Sequence, residues 1–98
     1  MKPFQRKFTP EAKHLLRHMS PAVKRHLRAL TDGIRKNPYE GKALQRELTG
    51  YYSVKHSHYR IIYSINEEKE WVVIEYVGLR EDIYELFFDL IKKAKKSS

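Results

Sequence analysis

The chain contains no cysteine, so no disulfide framework holds it together and its fold is independent of redox state. No apolar run approaches the roughly 20 residues that a membrane-spanning helix needs. The first ten residues, MKPFQRKFTP, lack the apolar stretch and small-residue cleavage site of a secretory signal. A cytoplasmic protein is the expectation. Glycine occurs only four times, never clustered as in a phosphate-cradling loop. No Ser-His-Asp arrangement and no carboxylate pair suggests itself, and Glu67, Glu68 and Glu70 look like a solvated turn. At 98 residues the chain buries only about 60–65% of its unfolded surface. That allows one thin core, residues 1–98 as a single domain, and excludes two large domains or an enclosed dinucleotide cleft.

What the chain does have is positive charge, unevenly placed. There are 20 Lys and Arg against 12 Asp and Glu, a net charge of +8. Residues 1–60 hold 14 Lys and Arg against 4 Asp and Glu, whereas residues 61–98 hold 6 against 8. All five histidines also fall in the first part. A field of this size favours a polyanion or an acidic protein partner, and a solvated basic surface is the plainer explanation.

Phe4–Phe8 alternates apolar and polar residues, as a short strand does. Thr9-Pro10-Glu11 reads as a helix start with Thr9 as N-cap, followed by Ala12, Leu15, Leu16 and Met19 at helical spacing. Ser20-Pro21 repeats that signal, and Val23, Leu27, Leu30 and Ile34 carry the stripe to about Lys36. Together these predict an αα-hairpin. Asn37-Pro38 ends it, because a residue before proline is pushed out of the α region. Residues 37–50 read as a connection. The period then changes to two across Tyr51–His56, Tyr59–Ile65 and Trp71–Val77, which predicts a three-stranded antiparallel meander. Ile83, Leu86, Phe87, Leu90, Ile91 and Ala94 form the stripe of a final helix, whose lysines suit its C-terminal end. The expected class is α+β: an N-terminal strand and αα-hairpin packed on an antiparallel meander sheet, with a C-terminal helix.

If Ser57-His58 is a two-residue hairpin loop, His56 pairs with Tyr59, Lys55 with Arg60, Val54 with Ile61 and Tyr52 with Tyr63. Like charges opposite one another repel, so stability alone does not favour Lys55 facing Arg60. If Asn66–Glu70 is a five-residue loop, Ile65 pairs with Trp71 and Arg60 lies opposite Tyr76. Gly78 and Arg80 continue that face, which gathers Lys55, Arg60 and Arg80 at one corner. Tyr84 follows one helical turn later. Such a corner is either a solvated edge or a phosphate site, where arginine supplies paired hydrogen bonds and lysine a compact charge. Crowded cations also disfavour one another's charged forms, which moves Lys55 toward general-base duty.

The run Asn37-Pro38-Tyr39-Glu40-Gly41-Lys42, then Leu44, Leu48 and Gly50-Tyr51-Tyr52-Ser53-Val54-Lys55, resembles the RelE/ParE superfamily of bacterial and archaeal toxins. So does Tyr59-Arg60-Ile61-Ile62-Tyr63, followed by Val77-Gly78-Leu79-Arg80-Glu81-Asp82-Ile83-Tyr84. The resemblance covers nearly the whole chain. It implies a RelE-like toxin of a type II toxin–antitoxin pair, neutralised by a cognate antitoxin. RelE-like members enter the ribosomal A site and cut mRNA without a metal or cofactor, leaving a 2′,3′-cyclic phosphate. ParE-like members instead poison DNA gyrase.

By position, the resemblance makes Arg60 the arginine that binds the scissile phosphate and Arg80 the one that stabilises the transition state. Tyr84 matches a tyrosine that stacks on the substrate base or assists proton transfer. Lys55 matches the second of two strand lysines, and Ser53 stands where the family carries the first, removing one cation. The catalytic candidates are therefore Lys55, Arg60, Arg80 and Tyr84. A ribosome-dependent mRNA endoribonuclease is the leading expectation, with a ParE-like gyrase inhibitor second and a basic RNA-binding domain or inactive relic third. His56 and His58 are expected at the surface or in packing, His56 on the face opposite Lys55. His14, His18 and His26 have no metal-ligand spacing. Tyr51, Tyr52, Tyr63, Tyr76 and Trp71 are expected in the core or on the sheet. The antitoxin is expected to bury an amphipathic segment near the last helix, where Phe88, Lys92 and Lys95 form a second face. Phe88 closing the core is the alternative.

Overall fold

The computed structural model describes residues 2–79 and 82–97, with side chains as far as Ala94. Arg80 therefore lies outside the described residues, as do the side chains of Lys95 and Lys96. The elements run β1 (Gln5–Phe8), α1 (Pro10–Arg17), α2 (Pro21–Lys36), β2 (Lys42–Ala43), β3 (Tyr51–His56), β4 (Tyr59–Asn66), β5 (Trp71–Gly78) and α3 (Ile83–Ser97). Single 3₁₀ turns at Pro38–Glu40 and Arg46–Leu48 flank β2.

Both helices of the hairpin begin as the sequence predicts. The Thr9 Oγ1 accepts the Ala12 N–H at 3.1 Å and the Ser20 Oγ accepts that of Val23 at 3.3 Å. Each cap satisfies a backbone donor with no partner inside its helix, an effect of about 1 kcal/mol. Each proline occupies the first helical turn, where a missing N–H costs nothing.

The five strands form one sheet in the order β1-β5-β4-β3-β2. The meander β3-β4-β5 is antiparallel as expected. β1 joins it in parallel, from Gln5 opposite Trp71 to Phe8 opposite Ile74, which makes the sheet mixed. The αα-hairpin supplies the crossover that a parallel pair requires. Arg6 ties β1 to α2 through Asp32 at 2.9 Å, and Arg35, 3.3 Å from the same carboxylate, donates to the Phe4 carbonyl at 2.8 Å.

Alternation along the strands creates two apolar faces, each covered by helix. Ile61, Tyr63, Val72, Ile74 and Val77 pack against Ala12, Leu27 and Ile34 of the hairpin. Ile62 and Tyr76 pack on the other side against Ile83 and Phe87 of α3. Tyr63 is completely buried and stacks with Tyr52 at 5.6 Å, while Tyr51 meets the Phe87 ring edge-on at 4.9 Å. Trp71 lies half-buried under the ammonium groups of Lys7 and Lys69. Phe88, also half-buried, carries Lys92 over its ring at 4.7 Å.

The β3–β4 register is the predicted one: Lys55 faces Arg60, Val54 faces Ile61 and Tyr52 faces Tyr63. The β4–β5 register differs from the expectation. Asn66, not Ile65, pairs with Trp71, and the pairing shifts again between Ile62 and Tyr63. Ile62 faces Tyr76 and Arg60 faces Gly78, which leaves Glu75 as an unpaired extra residue on β5. This β-bulge reverses the alternation, so Ile74 and Val77 share the hairpin face while Tyr76 turns to α3. The bulge is secured by Thr9, whose hydroxyl donates to the Glu75 carbonyl and whose N–H donates to that of Ile74.

Candidate active site

Two glycines bring the flanking segments onto the α3 side of the sheet. Gly78 faces Arg60 across the ladder, and a Cβ there would overlap the Ile83 Cγ2. Glycine therefore lets the start of α3 lie against the sheet, which carries Tyr84 over β3. Gly41 meets Tyr63 in the same way, its Cα facing the Tyr63 hydroxyl so closely that a side chain would collide. That hydroxyl donates to the Pro38 carbonyl at 2.6 Å. The connection is thereby pinned to the core, and β2 follows beside β3 with Lys42 opposite Ser53 and Ala43 opposite Tyr52.

The result is an open cleft of about 430 Å³ lined by Lys42, Ser53, Lys55, Arg60 and Tyr84. Three of the four sequence candidates, Lys55, Arg60 and Tyr84, meet there. The fourth, Arg80, follows Gly78 by two positions, and Gly78 is the residue that faces Arg60. Directly opposed residues in an antiparallel pair share a face, so Lys55 and Arg60 project to the same side. Their environments differ. Arg60 retains 8% of its surface, whereas Lys55 is exposed.

Ser53 is 5% exposed, and its Oγ lies 3.2 Å from the Tyr84 Oη. Ser53 therefore positions the phenol. Lys42 was not among the sequence candidates. It belongs to a two-residue strand, too short for a period-two pattern to show. The cue present in the sequence is only its position after Gly41.

The arrangement suits a phosphate: a buried guanidinium for directed hydrogen bonds, exposed lysines, and a phenol able to stack or donate. Among the described residues, no carboxylate lines the cleft. The histidines stand apart from it. His56 is exposed on the opposite face from Lys55, with its ring 4.6 Å from that of His26, and His58 is exposed in the β3–β4 turn. His14 and His18 contact one another edge-on along α1. Among the described residues, no helix is long and apolar enough to cross a membrane.

The molecule is a mixed sheet with a helical hairpin on one face and a single helix on the other, and its basic cleft opens on the single-helix side. The family model for the ParE toxin of the type II toxin–antitoxin system parDE matches residues 4–84. Toxin RelG of Mycobacterium tuberculosis is 34% identical over 84 residues, spanning 84% of this chain and 97% of that protein. The crystal structure of the toxin–antitoxin complex RelBE2 from the same organism superposes with a TM-score of 0.77 at 33% identity, again over 84% and 97% of the two chains. The isolated Escherichia coli RelE toxin shares the fold, with a TM-score of 0.68 at 22% identity over 93% and 98%. The chain belongs to the RelE/ParE superfamily of type II toxin–antitoxin toxins.

Proposed function

We propose that this toxin is a ribosome-dependent mRNA endoribonuclease that acts in the cytoplasm and is held inactive by a cognate antitoxin. The observation that carries the reading is the convergence of Lys55, Arg60 and Tyr84, from three separate elements, on one open cleft. In the reaction the ribose 2′-oxygen bonds to the adjacent phosphorus while the bond to the 5′-oxygen breaks. The products are a 2′,3′-cyclic phosphate and a 5′-hydroxyl. Lys55, beside the 2′-oxygen, takes its proton. Arg60 holds the non-bridging oxygens, and Arg80 stabilises the added charge and returns a proton to the leaving oxygen. Tyr84 stacks on the base beside the broken bond.

Fixed donors aimed at developing charge supply the main electrostatic effect. An exposed cleft on so small a domain does not align the 2′-oxygen for attack by itself. The ribosomal A site supplies that alignment, by holding the codon in one conformation. The antitoxin docks beside α3, where Leu79 and Leu86 remain 50% and 46% exposed. An amphipathic partner segment would cover both, and an acidic one would complement the net charge of +8.

The match to the ParE family model favours a second reading, inhibition of DNA gyrase without nuclease chemistry. Purified toxin added to mRNA-programmed ribosomes separates the two. Fragments ending in a 2′,3′-cyclic phosphate establish the nuclease. Intact mRNA together with blocked gyrase supercoiling establishes the inhibitor.

A further inference from the structure

We infer that Lys42 is a substrate-binding residue of this cleft, holding the RNA phosphate next to the scissile one. The inference rests on the nuclease reading given above. Lys42 lines the cleft together with Lys55, Arg60 and Tyr84. It pairs directly with Ser53, so its side chain leaves the sheet on the same face as those of Ser53 and Lys55. Lys42 is one strand over and two residues along from Lys55, which separates the two backbones by roughly 8 Å. Ammonium groups that keep this offset meet two successive phosphates of a single strand.

The placement is built into the fold. The Tyr63 hydroxyl holds the Pro38 carbonyl, Gly41 lies against that hydroxyl, and the Leu44 N–H donates to the Tyr51 carbonyl at 2.9 Å. A two-residue edge strand is thus fixed at both ends. No ion pair engages Lys42 among the described residues. Lys42 is exposed and faces a cleft in which none of the described lining residues is a carboxylate. Ser53 leaves the opposing position uncharged and holds Tyr84, so at this rung of the β2–β3 ladder the positive charge comes from Lys42.

Cleavage of a ribosome-bound mRNA under single- and multiple-turnover conditions tests the assignment. Lys42→Ala is expected to raise KM roughly fivefold to tenfold, the loss of one exposed charge-assisted contact, with kcat within about twofold. Lys42→Arg is expected to restore binding, because it keeps the charge at the same position. An mRNA with a neutral methylphosphonate at one linkage neighbouring the cut should cost the wild type the same factor and cost Lys42→Ala nothing more. Lys42 is exposed, so thermal melting of Lys42→Ala and Lys42→Arg should match the wild type. Normal cleavage by Lys42→Ala on every substrate overturns the assignment and leaves the nuclease reading standing. Absence of cleavage by the wild type overturns both.

Discussion

The Ser53 hydroxyl lies 3.2 Å from that of Tyr84 and joins the middle of β3 to the first turn of α3. This contact couples the sheet, which holds Lys55 and Arg60, to the helix that carries the aromatic side of the cleft. Ser53→Ala should lower the cleavage rate about threefold to tenfold by freeing the phenol, with a stability change of about 1 kcal/mol or less. Tyr84→Phe keeps the ring and loses the same contact, so the two single changes and the double change should have similar effects. Rates and melting temperatures of the three variants check this. Additive losses would mean that the two hydroxyls act independently.

Lys55 and Arg60 face one another but differ in burial, which separates their roles in stability. Lys55→Ala should abolish cleavage with a change in unfolding free energy within about 0.5 kcal/mol, as for an exposed side chain. Arg60→Ala should abolish cleavage and also cost about 1–3 kcal/mol, since it removes a buried side chain with its polar contacts. Urea denaturation beside the cleavage assay resolves the two.

Gly78→Ala places a methyl where Ile83 Cγ2 sits. Overpacking of this kind costs about 1–3 kcal/mol, and here it lifts the start of α3 away from Arg60. Both melting temperature and cleavage should fall. Leucine lacks the β-branch, so Ile83→Leu in the same chain should recover part of both losses.

The buried Tyr63 phenol is pushed up from its ordinary value near 10 to about 12, chiefly by burial. A phenol raised in this way stays neutral in the folded protein while its unfolded counterpart ionises. Its contribution is complete below pH 10 and is lost as pH rises toward 12. The loss should amount to about 2–3 kcal/mol across that window. Tyr63→Phe should be less stable than the wild type at neutral pH, through loss of the hydrogen bond to Pro38. The gap between the two proteins should narrow above pH 10, in denaturation curves measured from pH 8 to 12.

Much of this arrangement was legible in the sequence because it follows from local chemistry. Thr9-Pro10 and Ser20-Pro21 announce two helices, and the alternation either side of Ser57-His58 sets Lys55 opposite Arg60 without any long-range information. The hairpin forms even though Ser57 must adopt a φ of 57°, a left-handed conformation usually left to glycine or asparagine. The β4–β5 register was not legible. Glu75 is an ordinary strand residue by type, and what makes it a bulge is the hydroxyl of Thr9, far away in sequence, donating to its carbonyl. β2 was hidden for a related reason: two residues carry no period, and its place depends on Tyr63 reaching Pro38. The cleft therefore gained Lys42, which a reading by periodicity leaves in a connection.

The central claim is cleavage of translated mRNA, and primer extension on a reporter message after brief induction of the toxin tests it most directly. Wild-type toxin should produce new ends within translated codons, absent when initiation is blocked and absent with Lys55→Ala or Arg80→Ala. An intact message accompanied by growth arrest and double-strand DNA breaks would contradict the nuclease account and identify gyrase as the target.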